Sequence, residues 1–280
     1  DNGSTAIEVS LKMSLQYWNL LGKSKKTKFV ALDYGYHGDT VGAMSVSGVD
    51  LFNQVFSPLF FKGFKAKTPY CYRCPYKLNF DNGKCGIKCI TSLEKILQDH
   101  HEEIAGFILE PLLMGASGMI IYPKEYLEKA SELCKKYSVH LILDEVATGF
   151  GRTGKMFAFE HTTAVPDFVC ISKGITSGTL PLAATLTTNE IYSAFYDDYS
   201  QKKTFYHGHT YTANPIACSA ALASLAIFEE EKPLEKIQPI IKALKHGLKK
   251  FEALDSVGNI RQLGMVAALE LVKDRKTKKG

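Results

Sequence analysis

Apolar and polar positions along this chain follow two periods, one helical and one extended. Ile7, Leu11, Leu15 and Trp18 lie three or four residues apart and predict an amphipathic helix; Lys28-Phe-Val-Ala-Leu-Asp33 then reads as a buried strand. Apolar or β-branched runs bounded by polar residues at Ile104–Glu110, Val139–Asp144, Phe168–Ser172 and Leu182–Leu186 predict further strands. Helical spacing covers about 123–137, 191–199 and 213–230. Near-continuous apolar strands alternating with helices predict an α/β fold with a mainly parallel sheet flanked by helices. Pro233 interrupts the helical pattern, and a new stripe of Ile237, Ile241, Leu244, Leu248 and Phe251 runs on to Leu254 before a strand at Gly264–Leu271. A domain boundary is therefore expected there: residues 1–233 as a large domain, residues 234–280 as the start of a smaller C-terminal one. No repeat or low-complexity tract interrupts this order.

Composition changes the picture little. Apolar residues make up 45% of the chain, enough for a sizeable core. The net charge of +5 comes mostly from the tail Lys273–Gly280, where five Lys and Arg face one Asp; a basic tail of this kind is a solvated end, so no nucleic-acid partner is expected. No run approaches the roughly 18 apolar residues of a membrane span, and no charged-then-apolar leader precedes Asp1. The first recognisable feature, at Asp1 and without a Met, is already a helix start, which reads as a cut through a longer protein. Seven cysteines without a secretory signal point to reduced thiols in the cytoplasm.

Ligands of open α/β sheets bind outside the carboxyl ends of the strands. Polar groups stand at four such ends: Asp33-Tyr-Gly-Tyr-His37, Glu110-Pro111, Asp144-Glu145 and Ser172-Lys173-Gly174. A lysine closing an apolar strand among small residues is open to desolvation, which suits it to Schiff-base chemistry; Gly174 would let a flat cofactor approach the backbone. Asp144, ending the strand before it, is placed to face Lys173 and to pair with a pyridinium nitrogen. Thr5-x-x-Glu8 has capping-box spacing, and the free N–H groups at Gly3 and Ser4 would suit a phosphate. Gly149-Phe-Gly-Arg-Thr-Gly154-Lys155 matches two nucleotide-loop patterns only superficially. Met156 stands where a P-loop needs Ser or Thr, and the acids precede the glycines instead of following them.

Together, Asp1-Asn-Gly-Ser-Thr-Ala-Ile-Glu8, Gly35-Tyr-His-Gly-Asp-Thr40, Leu143-Asp-Glu-Val-Ala-Thr-Gly-Phe-Gly-Arg-Thr-Gly154, Ser172-Lys-Gly174 and His207-Gly-His-Thr210 resemble the class III aminotransferases of pyridoxal-phosphate (PLP) fold type I. Gly35–Val46, Gln16-Tyr-Trp18 and Leu186-Thr-Thr188 narrow the resemblance to the branch that makes 7,8-diaminononanoate in biotin biosynthesis. Ornithine- or 4-aminobutyrate-type ω-aminotransferases, or a non-catalytic scaffold on the same fold, are the alternatives. The resemblance implies that Lys173 holds pyridoxal 5′-phosphate covalently and shuttles the proton, while Asp144 holds the ring nitrogen. It further implies that Val146 and Tyr36 flank the ring, that Glu110 lies near it and that Gly3 and Ser4 bind the phosphate. Gly208, His209 and Thr210 would reach the partner's cofactor and substrate in a homodimer, so that Tyr36, Lys173 and Gly208 meet the amino donor and the keto acid acceptor. His209 resembles lysine-using members, where adenosylmethionine users often show Pro, and the donor stays open between the two. The family's aromatic N-terminal segment and its C-terminal Arg for the substrate carboxylate lie outside these 280 residues.

An insertion at about 68–90 carries Cys71-x-x-Cys74 and Cys85-x-x-x-Cys89. Four such thiols could wrap a tetrahedral zinc ion. The C-x₃-C spacing, the short loop and a family that needs no metal argue against it, and none is expected.

Overall fold

Six strands align in one sheet, and the four inner ones have side chains buried on both faces. The computed structural model describes residues 1–78 and 85–280; Gly83 of the insertion lies outside them. Helix α1 (Gly3–Leu20) leads into β1 (Lys28–Leu32), short helices α2 (Val41–Ser45) and α3 (Asp50–Asn53), and edge strand β2 (Phe64–Ala66). Then come α4 (Ile90–His100), β3 (Ile104–Leu109), a small hairpin of β4 (Leu113–Met114) and β5 (Ile120–Ile121), α5 (Lys124–Lys136), β6 (His140–Asp144), β7 (Phe168–Ile171) and β8 (Ala184–Thr187). The chain ends with α6 (Asn189–Phe195), α7 (Pro215–Glu231), α8 (Pro233–Leu248) and a hairpin of β9 (Val257–Leu263) and β10 (Val266–Leu271).

The sheet order is β2-β1-β3-β6-β7-β8, parallel throughout except for β8, which runs antiparallel to β7. Alternation splits each strand between two cores. Val30, Leu32, Leu141 and Leu143 pack with Leu93, Leu97, Tyr126 and Leu127 of α4 and α5. Phe29, Ala31 and Ile142 pack on the other face with Ile7, Leu11 and Trp18 of α1. Each fully buried Leu or Phe contributes about 1.5–3 kcal/mol relative to exposure. Lys26, also buried, bolts the bottom of the sheet by donating to the carbonyls of His101 (2.6 Å), Ile104 (2.9 Å) and Ser138 (2.9 Å). Among the described residues, no helix is long and apolar enough to cross a membrane.

Four details depart from the sequence pattern. The cap of α1 is Asn2, whose side chain accepts from Thr5 N–H (3.1 Å), while Thr5 Oγ1 accepts from Asn2 N–H (3.2 Å). Glu8 is drawn instead to Thr40 Oγ1 (2.6 Å) and Gly42 N–H (2.8 Å), where the start of α2 offers unpaired donors. The last sheet strand is shifted to Ala184–Thr187, and α6 ends at Phe195. The final strand starts at Val266 because Gly264 forms the hairpin turn at φ +58°. A Cβ there would stand 2.1 Å from the Thr153 carbonyl carbon, so only glycine lets the hairpin tip rest on the Gly149–Gly154 loop.

Candidate active site

The parallel strands β1, β3, β6 and β7 end along one edge, and the groups following them face a cavity of about 750 Å³. Asp144 closes β6, whose register sets it beside Cys170 of β7; Lys173 follows two residues after β7 ends. Tyr36 comes from the loop after β1, Glu110 from the end of β3, Val146 from just beyond β6, and Gly3 and Ser4 from the start of α1. One cavity thus gathers seven predicted residues from five elements.

Asp144 is only 4% exposed, and both its oxygens are held. Oδ1 accepts from Val146 N–H (3.1 Å) and Oδ2 from His37 Nδ1–H (2.8 Å). His37 is fixed in turn by its own N–H donating to Ser47 Oγ (2.9 Å). Its proton must sit on Nδ1, since a carboxylate has none to give. The Glu110 carboxylate accepts from Gly115 N–H (2.9 Å) and Tyr36 N–H (3.2 Å), yet burial, reinforced by the charge of Asp144, pushes it up to about 8. Burial, with a hydrogen bond to Asp39, raises the Tyr36 phenol to about 12, so it stays protonated. Asn2 caps the Thr5 N–H, and the two preceding N–H groups, of Gly3 and Ser4, are left outside that cap at a helix N-terminus that favours an anion.

Two expectations change on contact with the geometry. Lys173 is exposed to the cavity, not desolvated, and sits at φ +46° at the head of a short 3₁₀ turn. Gly174 makes room for Phe150 and not for a ligand: a Cβ there would lie 2.5 Å from the Phe150 Cβ. Gly208, His209 and Thr210, expected to serve a partner's site, lie outside this chain's own cavity on an exposed segment, with His209 Nε2 3.8 Å from Asp1 Oδ1. Two strand-end acids also turn away. Asp33 pairs with Lys67 (2.9 Å), and the buried Glu145 binds Thr148 and Phe159 N–H (2.9 Å). Among the described residues, no group of three or more His, Cys, Asp or Glu side chains is placed to hold a metal ion.

The sequence reading missed the role of His37, and Asp39, Met119, Arg152 and Val266 in the wall. His37 and Asp39 lie within Gly35–Thr40 and Arg152 within Leu143–Gly154, so the family-like motifs carry their signal. Met119 and Val266 left no signal, because they reach the cavity only through the way two hairpins fold back.

The chain matches the family described as Aminotransferase class-III over residues 1–279. It is 50% identical, over 99% of its own length and 61% of the relative's, to adenosylmethionine-8-amino-7-oxononanoate aminotransferase of Geobacter sulfurreducens. The crystal structure of the enzyme of that name from Methanocaldococcus jannaschii superposes with a TM-score of 0.91 at 47% identity, covering 100% of this chain and 61% of that one. The ω-transaminase of Pseudomonas jessenii in complex with PMP superposes with a TM-score of 0.93 at 36% identity, again covering 100% and 61%. This chain therefore spans about three fifths of the length of the relatives it matches. A match along nearly all of its residues, on a fold shared with solved transaminases, makes the chain a member of the class III aminotransferases.

Proposed function

We propose that this chain is the cofactor-holding core of a PLP-dependent transaminase that converts 8-amino-7-oxononanoate to 7,8-diaminononanoate, with adenosylmethionine or lysine as amino donor. The observation that carries the reading is the convergence of an amine, a buried carboxylate, a phenol ring and a helix N-terminus in one cavity, in a family that depends on PLP. These groups fit pyridoxal 5′-phosphate: Lys173 as the covalent anchor, Asp144 at the ring nitrogen, Tyr36 and Val146 flanking the ring, Gly3 and Ser4 at the phosphate, and Glu110 nearby. When bound, that cofactor supplies an electron sink for the substrate carbon whose proton is removed. The chain's residues do the rest. Asp144, held by His37 and Val146 N–H, keeps a negative charge fixed at the ring end of the cavity. The Lys173 amine moves the proton, and its exposure leaves it free to swing. The backbone N–H groups of α1 and its dipole hold the phosphate without a side-chain cation.

In the same reading, residues 1–233 form the PLP-binding large domain and 234–280 begin the small one. The enzyme works in the cytoplasm as a homodimer, Gly208, His209 and Thr210 reaching the partner's site. Borohydride reduction of the full-length protein should trap a pyridoxyl group on Lys173, identifiable by peptide mass; no adduct, or an adduct on another lysine, refutes the assignment. Turnover of 8-amino-7-oxononanoate should exceed that of ornithine or 4-aminobutyrate in kcat/KM. The reverse order would favour an ω-aminotransferase of another substrate class.

A further inference from the structure

The Cys-bearing insertion has no role in the site described above, yet it is bonded to one of the site's walls through a single half-buried carboxylate. Glu270, on β10, lies diagonally across the hairpin from Arg261 of β9, since Arg261 pairs with Ala268. Arg261 Nη1 donates to Glu270 Oε2 at 2.5 Å, and the arginine side chain is only 9% exposed. From the insertion, Tyr70 donates its hydroxyl to the same oxygen and Arg73 Nε donates to Oε1 at 2.6 Å. The Arg261 guanidinium also lies over the Tyr70 ring, 5.6 Å from its centre. Burial would raise the Glu270 carboxyl, but these three donors win and hold it below its ordinary value.

Nη1 also donates to Asn259 Oδ1 (2.9 Å), while two other donors of Arg261 point toward the cavity wall. Nε donates to the Met119 carbonyl (3.0 Å) and Nη2 to the Gly118 carbonyl (2.9 Å), both on the turn between β4 and β5. Met119 lines the active-site cavity and sits at φ +52°, a left-handed conformation that a non-glycine residue keeps only when its surroundings impose it. The planar fork of one arginine, pre-aimed by Glu270, supplies that constraint.

We propose that Arg261 and Glu270, clasped by Tyr70 and Arg73 of the insertion, are positioning residues that fix the Gly118–Met119 wall and thereby set the site's grip on its substrate. The proposal rests on reading the cavity as the transaminase site. None of the four touches the reacting atoms, so the effect falls on substrate binding more than on turnover.

The test is steady-state kinetics of the full-length, PLP-loaded enzyme with 8-amino-7-oxononanoate. Arg261→Met should raise KM about tenfold or more while kcat stays within about threefold, as expected when charge-assisted hydrogen bonds that shape binding alone are lost. Arg261→Lys, which keeps the charge but reaches only one carbonyl, should recover part of the loss. Tyr70→Phe and Arg73→Met, on the surface side of the clasp, should raise KM by a smaller factor and leave the bound-cofactor absorbance unchanged. Met119→Ala added to Arg261→Met should raise KM no further. Unaltered KM in the Arg261 and Arg73 variants, or effects of Arg261→Met and Met119→Ala that simply multiply, would overturn the proposal while wild-type turnover upheld the functional reading. Absence of wild-type turnover would overturn both. Should Arg261→Met fail to fold, Tyr70→Phe and Arg73→Met decide.

Discussion

Replacing Glu110 with Gln should change how the stability of this protein depends on pH. Glu110 is 3% exposed, and burial followed by the neighbouring charge of Asp144 raises it from 4.5 to about 8. Between those two values the folded chain keeps a proton that the unfolded chain has released, so stability falls as pH rises. Glu110's contribution is complete below about 4.5 and lost above about 8. An interval of that size corresponds to about 5 kcal/mol as a ceiling, at about 1.4 kcal/mol per unit. Gln cannot ionise, which removes this slope. It also carries one acceptor oxygen where the carboxylate uses two, so the N–H of Gly115 or of Tyr36 loses its partner, at a cost of about 1–2 kcal/mol. The two stability curves should therefore cross: the variant weaker than wild type at pH 5 and stronger at pH 9. Urea unfolding of cofactor-free protein across that range, at constant ionic strength, measures the difference directly. Glu145, raised by burial to about 7, tilts both proteins alike and cancels in the comparison. Parallel curves, with the variant weaker by the same amount at every pH, would show that Glu110 is ionised in the fold and refute the reasoning.

Other consequences can be measured separately. His37→Phe removes the donor to Asp144 Oδ2, and the full-length enzyme should lose about 10- to 100-fold in single-turnover rate, with His37→Asn intermediate; an unchanged rate would leave His37 only a packing role. Leu97→Ala, deep between α4 and the sheet, should lower the unfolding free energy by about 2–5 kcal/mol in urea without altering the affinity for cofactor. Lys26→Met strands three carbonyls and should cost about 2–4 kcal/mol, seen as a lower thermal midpoint; a neutral result would mean that water enters to replace the ammonium.

What could be read from the sequence follows a physical division. Strands β1, β3, β6 and β7 are buried on both faces, so their apolar runs are unbroken and announce themselves. Strand β2 is three residues at the sheet edge, and β9, Val-Gly-Asn-Ile-Arg-Gln-Leu, is mostly half-buried; neither carries a sustained pattern. Asp144 and Lys173 were legible because a strand end is a fixed place to look. His37 was not singled out because its value lies in a bond spanning 107 residues to Asp144. The Asn2 cap competed with an equally well-spaced Thr5 and Glu8, and only the position of α2 shows why Glu8 is engaged elsewhere. Arg261 and Glu270 read as ordinary surface charges on a half-polar hairpin until the insertion is folded over them.

The attachment of α1 to the far side of the sheet carries a consequence for the order in which the molecule assembles. The carbonyl of Ala6 accepts from Thr185 Oγ1 (2.8 Å) and from the Cys170 thiol (3.5 Å), partners 179 and 164 residues later in the chain. The start of α1, which lines the cavity through Gly3 and Ser4, finds early partners in Asp39, Thr40 and Gly42, but its attachment to β7 and β8 waits for strands made much later, and closing so long a loop is a slow, late event. A ligand that binds only the joined ends selects the closed form by mass action. PLP present during refolding should then raise the yield of native protein, and a chain cut before β8 should gain nothing from it.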